Sequence, residues 1–443
     1  MDSYEDNCPM CNKKYYTAIL IKLYMRRTLT IAAIVIILVG AGVAVYFYFF
    51  RSTAGISVTS PEGTGFPVAG GVTGNFGTDS EQEGIISAGS PVKISSRLVK
   101  ISAGPVALGE AVVDNKAINA SSSPEVAVKY IERQSGNVFS YLVRAGTLTR
   151  TSNKTLPSIQ TASWLPDGSL AFVRYLSGND FSTINTYALA ANGSSGEMLI
   201  GQSTTTKQNA SVGGFFLPQN LVDIAVSGAN ILSLASGVNG SVASLTRTDG
   251  TRATTVFTMP LSSSRVSFAR KNQYLAFTKP STTLPGSAFL VDSTGHFSRI
   301  AGPKIGLVAL ASPSGKWVLV SSIEDNAMRM ELVNAATGEI LPLPIATIAE
   351  KCVWTADDST IYCGVPVNPS VGFNYPDDWY QGAIAFNDRI WKVQVSGRYA
   401  QLVLDFPAET KNSLDAEALA INPAGTVLVF VNKNEGSLWS YQL

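Results

Sequence analysis

Two Asp-Asp pairs, Asp357-Asp358 and Asp377-Asp378, and one histidine, His296, stand out in this 443-residue chain as residues whose types suit acid–base chemistry. Neighbouring carboxyls can divide into an acid and a base when their surroundings push their pKa values apart. A nucleophilic triad usually needs a histidine base, but His296 stands in Asp292-Ser-Thr-Gly-His-Phe, which reads as a surface turn. No GxSxG elbow, phosphate-binding loop, HExxH or calcium-loop spacing accompanies these residues. No catalytic residue, cofactor or metal ligand is therefore assigned. Asp357-Asp358 occupies a hairpin-turn position, where turn chemistry explains it without function. Asp377-Asp378 lies in the longest insertion, residues 367–382, together with Phe373, Tyr375, Trp379 and Tyr380. Long loops on a rigid scaffold gather binding residues, and aromatics are enriched at interface hot spots. Phe373, Tyr375, Asp377, Asp378, Trp379 and Tyr380 are thus the candidate binding residues. The alternative is that Trp379 and Tyr380 tuck back as a cover over their own unit.

The four cysteines fall in two pairs. Cys8-Pro-Met-Cys11 has CxxC spacing, yet a zinc site needs four ligands and the tail offers no second pair. Cys352 lies two residues before Trp354, and Cys363 two after Ile361. If Trp354 faces Ile361 across a hairpin, Cys352 faces Cys363, and directly opposed strand residues bring Cβ atoms within disulfide range. The same register elsewhere would oppose Val266 to Phe277, Ala309 to Val320 and Leu419 to Phe430. A cross-strand disulfide is expected; two buried thiols acting as small hydrophobes are the alternative.

These hairpins belong to a repeating phrase: apolar strand, polar turn, apolar strand. It reads Trp164-Leu-Pro-Asp-Gly before Ser-Leu-Ala-Phe172, Ala311-Ser-Pro-Ser-Gly before Lys-Trp-Val-Leu-Val320, and Ile421-Asn-Pro-Ala-Gly before Thr-Val-Leu-Val-Phe430. Self-similarity spaced by tens of residues signals a repeat architecture. Innermost strands near Val106, Gln160, Leu221, Val266, Val308, Cys352 and Leu419 give seven units of up to four short strands, the pattern of propeller blades. The last unit offers only three strands, and residues 97–102 can supply its missing outer strand and zip the ring.

Residues 28–50 form an uncharged apolar run that as a helix reaches roughly 33 Å, enough to cross a bilayer. Lys13, Lys14, Lys22, Arg26 and Arg27 precede it and place the N-terminus inside. A cleaved signal peptide is the alternative, but the run exceeds the usual core of such peptides. The expected layout is a cytoplasmic tail over 1–27, a transmembrane helix over 28–50, a flexible Gly/Ser/Thr/Pro stalk over 51–95 and the repeats over 96–443. With 33 basic against 32 acidic residues there is no basic footprint for nucleic acid.

The Trp164-Leu-Pro-Asp-Gly-Ser-Leu-Ala-Phe172 phrase resembles the WD-repeat-like blades of TolB-type propellers and of membrane-anchored bacterial propeller proteins. The resemblance covers about residues 97–443 and implies a scaffold and a protein-binding role in the cell envelope. It brings no catalytic residue. The expected fold is all-β, a seven-bladed β-propeller with six or eight blades as alternatives, preceded by one transmembrane helix. The expected function is non-catalytic binding of an envelope or extracellular protein outside the cytoplasm. A carbohydrate-active or other hydrolytic enzyme with carboxylates in the central channel is the rival, which convergent Asp, Glu and Tyr would favour.

Overall fold

A computed structural model of the protein describes residues 90–115, 124–152, 156, 158–178, 181, 183–191, 214–219, 221–370 and 372–443. The tail, the transmembrane helix, the stalk up to residue 89, and Cys8 and Cys11 lie outside the described residues. Among the described residues no helix is long and apolar enough to cross a membrane.

The repeated phrase folds the same way each time. In the first copy Leu165 N–H bonds to Leu170 O at 2.9 Å and Gly168 N–H to Leu165 O at 2.8 Å. Ser312, Trp317 and Gly315 repeat this pair of bonds, as do Asn422, Val427 and Gly425. The glycine adopts positive φ in all three (65°, 71° and 68°), a region that a Cβ disfavours. In the Trp354 unit Asp358 takes the glycine's place at φ 59°, and its N–H bonds to Thr355 O. Its carboxylate accepts from Ser312 Oγ at 2.8 Å and Ser314 N–H at 3.1 Å, so a turn residue also ties two units together.

Each turn joins strands of an antiparallel meander. Four-stranded sheets span 111–150, 221–259 and 352–405, and a three-stranded sheet spans 159–190. The seven-stranded sheet over 264–342 shares the long strand Phe297–Ala311, which pairs with Gly286–Asp292 up to Lys304 and with Trp317–Glu324 from Ile305. The last sheet holds Ala416–Ile421, Val427–Asn432 and Ser437–Gln442, and Leu98–Lys100 then pairs with Ser437–Gln442 as the closing strand. Val92–Lys93 adds a fifth strand, so ordered structure begins inside the segment assigned to the stalk.

Cores form between successive sheets because side chains alternate across a strand. In Val427–Asn432, Val427, Val429 and Val431 pack on Val112, Val128, Tyr130 and Phe139 of the first sheet, whereas Leu428 and Phe430 pack on Ile390, Leu404 and Phe406. Phe172 packs on Leu221 and Ile231, while Ala171 and Val173 pack on Ala111 and Ile131. Leu232 and Leu234 face Tyr274 and Ala276, and one cluster continues from Leu275 to Leu319 to Cys363. Every sheet thus buries apolar residues against the next and the last against the first, the arrangement of a β-propeller. Asn422 Nδ2 donates to Asp114 at 2.6 Å across that final junction.

Cys352 pairs with Cys363 in the ladder and forms the expected disulfide, with Cα atoms 4.1 Å apart. Ala309 likewise opposes Val320. The register fails in two other hairpins. Val266 opposes Ala276 because a bulge between Phe268 and Arg270 shifts the ladder by one residue, and a bulge between Glu417 and Ala420 sets Ala418 and Leu419 together against Phe430. A bulge adds a residue to one strand only, so every pair beyond it moves.

Candidate functional site

The long loop divides the candidate residues by burial. Asp377, Asp378, Trp379 and Tyr380 form one helical turn. Trp379 is only 3 % exposed, lies parallel to Phe386 at 6.1 Å, and donates its indole N–H to Asp415 Oδ2 at 2.9 Å. Tyr380 donates its hydroxyl to Glu350 Oε2 at 2.9 Å. Tyr375 is buried and donates to Ser370 O at 2.6 Å. Asp377 accepts from Thr282 N–H and Oγ1, fastening the loop to the sheet that begins at Ser264, and Asp378 accepts from Asn374 N–H at 2.7 Å. Of the six, Phe373 alone is largely open to solvent, at 42 % exposure. Trp379 and Tyr380 therefore take the covering position given above as the alternative to a contact surface.

Beneath that cover lies an ionic cluster that the sequence did not suggest. Lys351 is fully buried between Asp388 Oδ2, at 2.8 Å, and Asp415 Oδ1, both carboxylates being buried as well. Asp415 Oδ2 also accepts from Phe386 N–H at 2.8 Å, and Asp388 Oδ2 from Ala416 N–H at 2.7 Å. The Lys351 ammonium lies 4.9 Å from the Trp379 ring and Lys433 Nζ 4.4 Å from it, within cation–π range. Burial works against the charge on Lys351, but Asp388 and Asp415 outweigh it and leave its pKa raised. Burial foremost, with the nearby Asp415 charge adding, raises Asp388 despite Lys351. Lys351 arrives from the turn before Cys352–Trp354, Asp388 begins Asp388–Gln394, and Asp415 precedes Ala416–Ile421, so the cluster welds two sheets. The polar atoms of all three are sealed from solvent, which suits structure better than turnover.

More carboxylates and cations meet near it. Glu417 pairs with Lys433 at 3.3 Å. Glu110 is half-buried, yet both of its carboxylate oxygens are enclosed and without a hydrogen-bond partner among the described residues. Burial, then the charge of Glu417, holds its pKa well above the ordinary carboxylate range. Beyond Tyr380 the line continues through Glu350 to Arg265, Asp223 and Arg174. Asp, Glu and Tyr thus do converge, but with Lys and Arg interleaved. Among the described residues no group of three or more His, Cys, Asp or Glu is placed to hold a metal ion.

A separate open cleft of about 1300 Å³ lies on the outer side of the loop. Phe373, Trp391, Tyr399, Met328, Arg389 and Arg398 line it. Tyr399 is 57 % exposed, and Arg389 is held by Asp405 at 3.0 Å. The aromatic content of the loop pointed to Phe373 and Tyr375 of this cleft but not to Trp391, Tyr399 or Arg389, which sit on ordinary strands without a motif, nor to Arg398 in the turn between those strands.

No family model matches the chain, and no curated protein sequence matches it. Among solved structures it is similar to an oligogalacturonate lyase from Vibrio parahaemolyticus, at 8% identity over 78% of this chain and 93% of that one, with a TM-score of 0.49. The β-propeller domain of the Trilobed protease from Pyrococcus furiosus aligns at 7% identity over 76% and 93%, with a TM-score of 0.46. A TolB-type protein of Agrobacterium tumefaciens aligns at 16% identity over 50% and 73%, with a TM-score of 0.35. None of these similarities brings a ligand or a reaction to this chain.

Proposed function

We propose that the protein is a single-pass, N-in membrane protein whose seven-bladed propeller is displayed outside the cytoplasm and binds an envelope or extracellular protein without catalysis. Seven blades are supported by the long strand of the 264–342 sheet, which changes partner at Ile305 and so divides that sheet into two halves. The anchor rests on the apolar run 28–50 and the basic residues before it. The observation that carries the binding role is the cleft beside the loop: Phe373 and Tyr399 are both solvent-exposed, and Trp391, Arg389 and Arg398 line the cleft with them. Exposed aromatics with arginine are the residue types that dominate protein interfaces. The test is cross-linking of intact cells, detergent extraction and capture of the full chain beside a Phe373→Ala/Tyr399→Ala variant. Loss of a specific cross-linked partner from the variant supports the reading, and an unchanged captured set removes it. Protease added outside the cell should digest the propeller; digestion only from the cytosolic side overturns the topology.

Channel hydrolysis is the second reading, and Glu110 favours it. An unpartnered carboxyl with a raised pKa beside a second carboxylate is in the state required of a general acid. Turnover of aryl glycosides that disappears in both Glu110→Gln and Glu417→Gln would support it, and absence of turnover removes it for that substrate class.

A further inference from the structure

Arg174, Asp223 and Arg265 come from three neighbouring sheets, which hydrogen bonds of Arg174 and Asp223 tie to one another. Arg174 Nη2 donates to Leu221 O at 2.8 Å, two residues before Asp223. Asp223 Oδ2 accepts from Val266 N–H at 2.8 Å, the residue after Arg265. Glu350 and Tyr380, joined through the tyrosine hydroxyl, face the same place from the loop side. Burial works against the Arg265 charge, yet Glu350 foremost, then Asp223 and Tyr380, leave its pKa raised. The proximity of the two guanidiniums is felt at Arg174, whose pKa falls through burial first, with repulsion from Arg265 adding to it against the pull of Asp223.

The donors here are not used up. Among the described residues the Arg265 guanidinium makes no hydrogen bond and no ion pair, although two carboxylates are near. The Nε–H of Arg174 is enclosed and has no acceptor. A guanidinium is a planar fork of five donors that matches the two oxygens of a carboxylate, and enclosed donors without acceptors are uncommon because they cost stability. Asp223 has both oxygens turned to backbone N–H groups, of Ile224 and Val266, so it holds the arginines near one another without filling their forks. All of these residues are half-buried rather than sealed.

We propose that Arg174 and Arg265 form a binding site for the carboxylate group of a small ligand. Charge decides for carboxylate over phosphate. Two arginines already balance Asp223 and Glu350, so a monoanion adds one negative charge to a neutral group, whereas inorganic phosphate near neutral pH, with its second pKa close to 7, adds about one and a half on average. The site is independent of the outer cleft and of any partner protein there.

The probe is ¹³C-acetate observed by saturation-transfer NMR on the detergent-solubilised full chain, with acetamide as the neutral isostere and inorganic phosphate at matched ionic strength. Saturable acetate binding, no acetamide binding, and affinity at least tenfold weaker in Arg265→Gln are expected. Arg265→Lys keeps the charge but loses the fork, and should recover only a small part of that affinity. In the wild type, acetate should also slow phenylglyoxal modification of Arg265 while acetamide does not, a readout that requires no variant to fold. No acetate binding to the wild type, equal binding to a folded Arg265→Gln, unchanged phenylglyoxal reactivity, or phosphate binding as tightly as acetate would each overturn the proposal.

Discussion

The indole N–H of Trp379 donates to Asp415 Oδ2 at 2.9 Å, so a loop residue that reads as a contact aromatic is a strut between the loop and the buried Lys351 cluster. Trp379→Phe keeps most of the packing on Phe386 but leaves that carboxylate one donor short, which should cost about 1–3 kcal/mol. Trp379→Ala also opens a cavity and should cost about 3–5 kcal/mol. Chemical denaturation of the two variants checks this order; equal, near-zero effects would mean that the loop does not rest on Trp379. A partner lost from Trp379→Ala would therefore report unfolding as readily as binding, which is why Phe373 and Tyr399 are the informative surface positions.

The disulfide joins neighbouring strands across 11 residues of chain and lies in the core shared by the seven-stranded sheet and the 352–405 sheet. Closing so short a loop removes modest entropy from the unfolded chain, worth about 2–3 kcal/mol. Reductant should lower the wild-type melting temperature and leave a Cys352→Ala/Cys363→Ala variant unchanged. Peptide mapping without reductant should recover the two cysteine peptides linked, and alkylatable thiols there would count against the bond.

Hairpin units, the disulfide pair and the closing strand were legible because each depends on local signals: period-2 apolar runs, turn residues and their spacing. Ile159–Trp164 contains the expected position Gln160, and Leu98–Lys100 falls within the residues 97–102 expected to close the ring. Bulges were not legible, since the extra residue between Glu417 and Ala420 has no composition of its own. Nor was the ionic cluster, because Lys351, Asp388 and Asp415 are far apart in sequence and meet only through the packing of two sheets. The one available hint was a charge set directly against an apolar strand, as in Lys351 before Cys-Val-Trp354. For the loop, aromatic content showed that Trp379 would bury area somewhere; only coordinates show that it does so within its own molecule.

Closure of the ring should be measurable as a position effect near the N-terminal edge. Ile101 is fully buried in the core between the last and first sheets and donates its N–H to Leu438 O at 2.8 Å. Ile101→Ala should cost about 2–5 kcal/mol. Ile101→Pro, which also removes that hydrogen bond, should cost more and make the Ser437–Gln442 edge available for aggregation. Val92, on the added outer strand, is 53 % exposed, and Val92→Ala should lie within about 0.5 kcal/mol of the wild type. Similar losses at both positions, measured by urea unfolding and size-exclusion chromatography, would contradict closure through residues 98–101.

Glu110 gives the pH dependence its sign. Its folded-state pKa lies well above the unfolded value of 4.5, because burial and then Glu417 disfavour the charged form. The folded protein therefore holds this proton more tightly than the unfolded chain does. Stability contributed by the group is greatest below pH 4.5 and declines as pH rises toward the folded pKa, beyond which the enclosed charge is a standing cost. Glu110→Gln removes the ionisation, so it should stabilise the protein by about 1 kcal/mol or more at neutral pH and leave acid stability little changed. Stability measured from pH 4 to 8 should accordingly fall less steeply in the variant than in the wild type. A variant that is less stable than the wild type at pH 8 would show that the Glu110 carboxylate has a partner there, and the raised pKa would have to be abandoned with it.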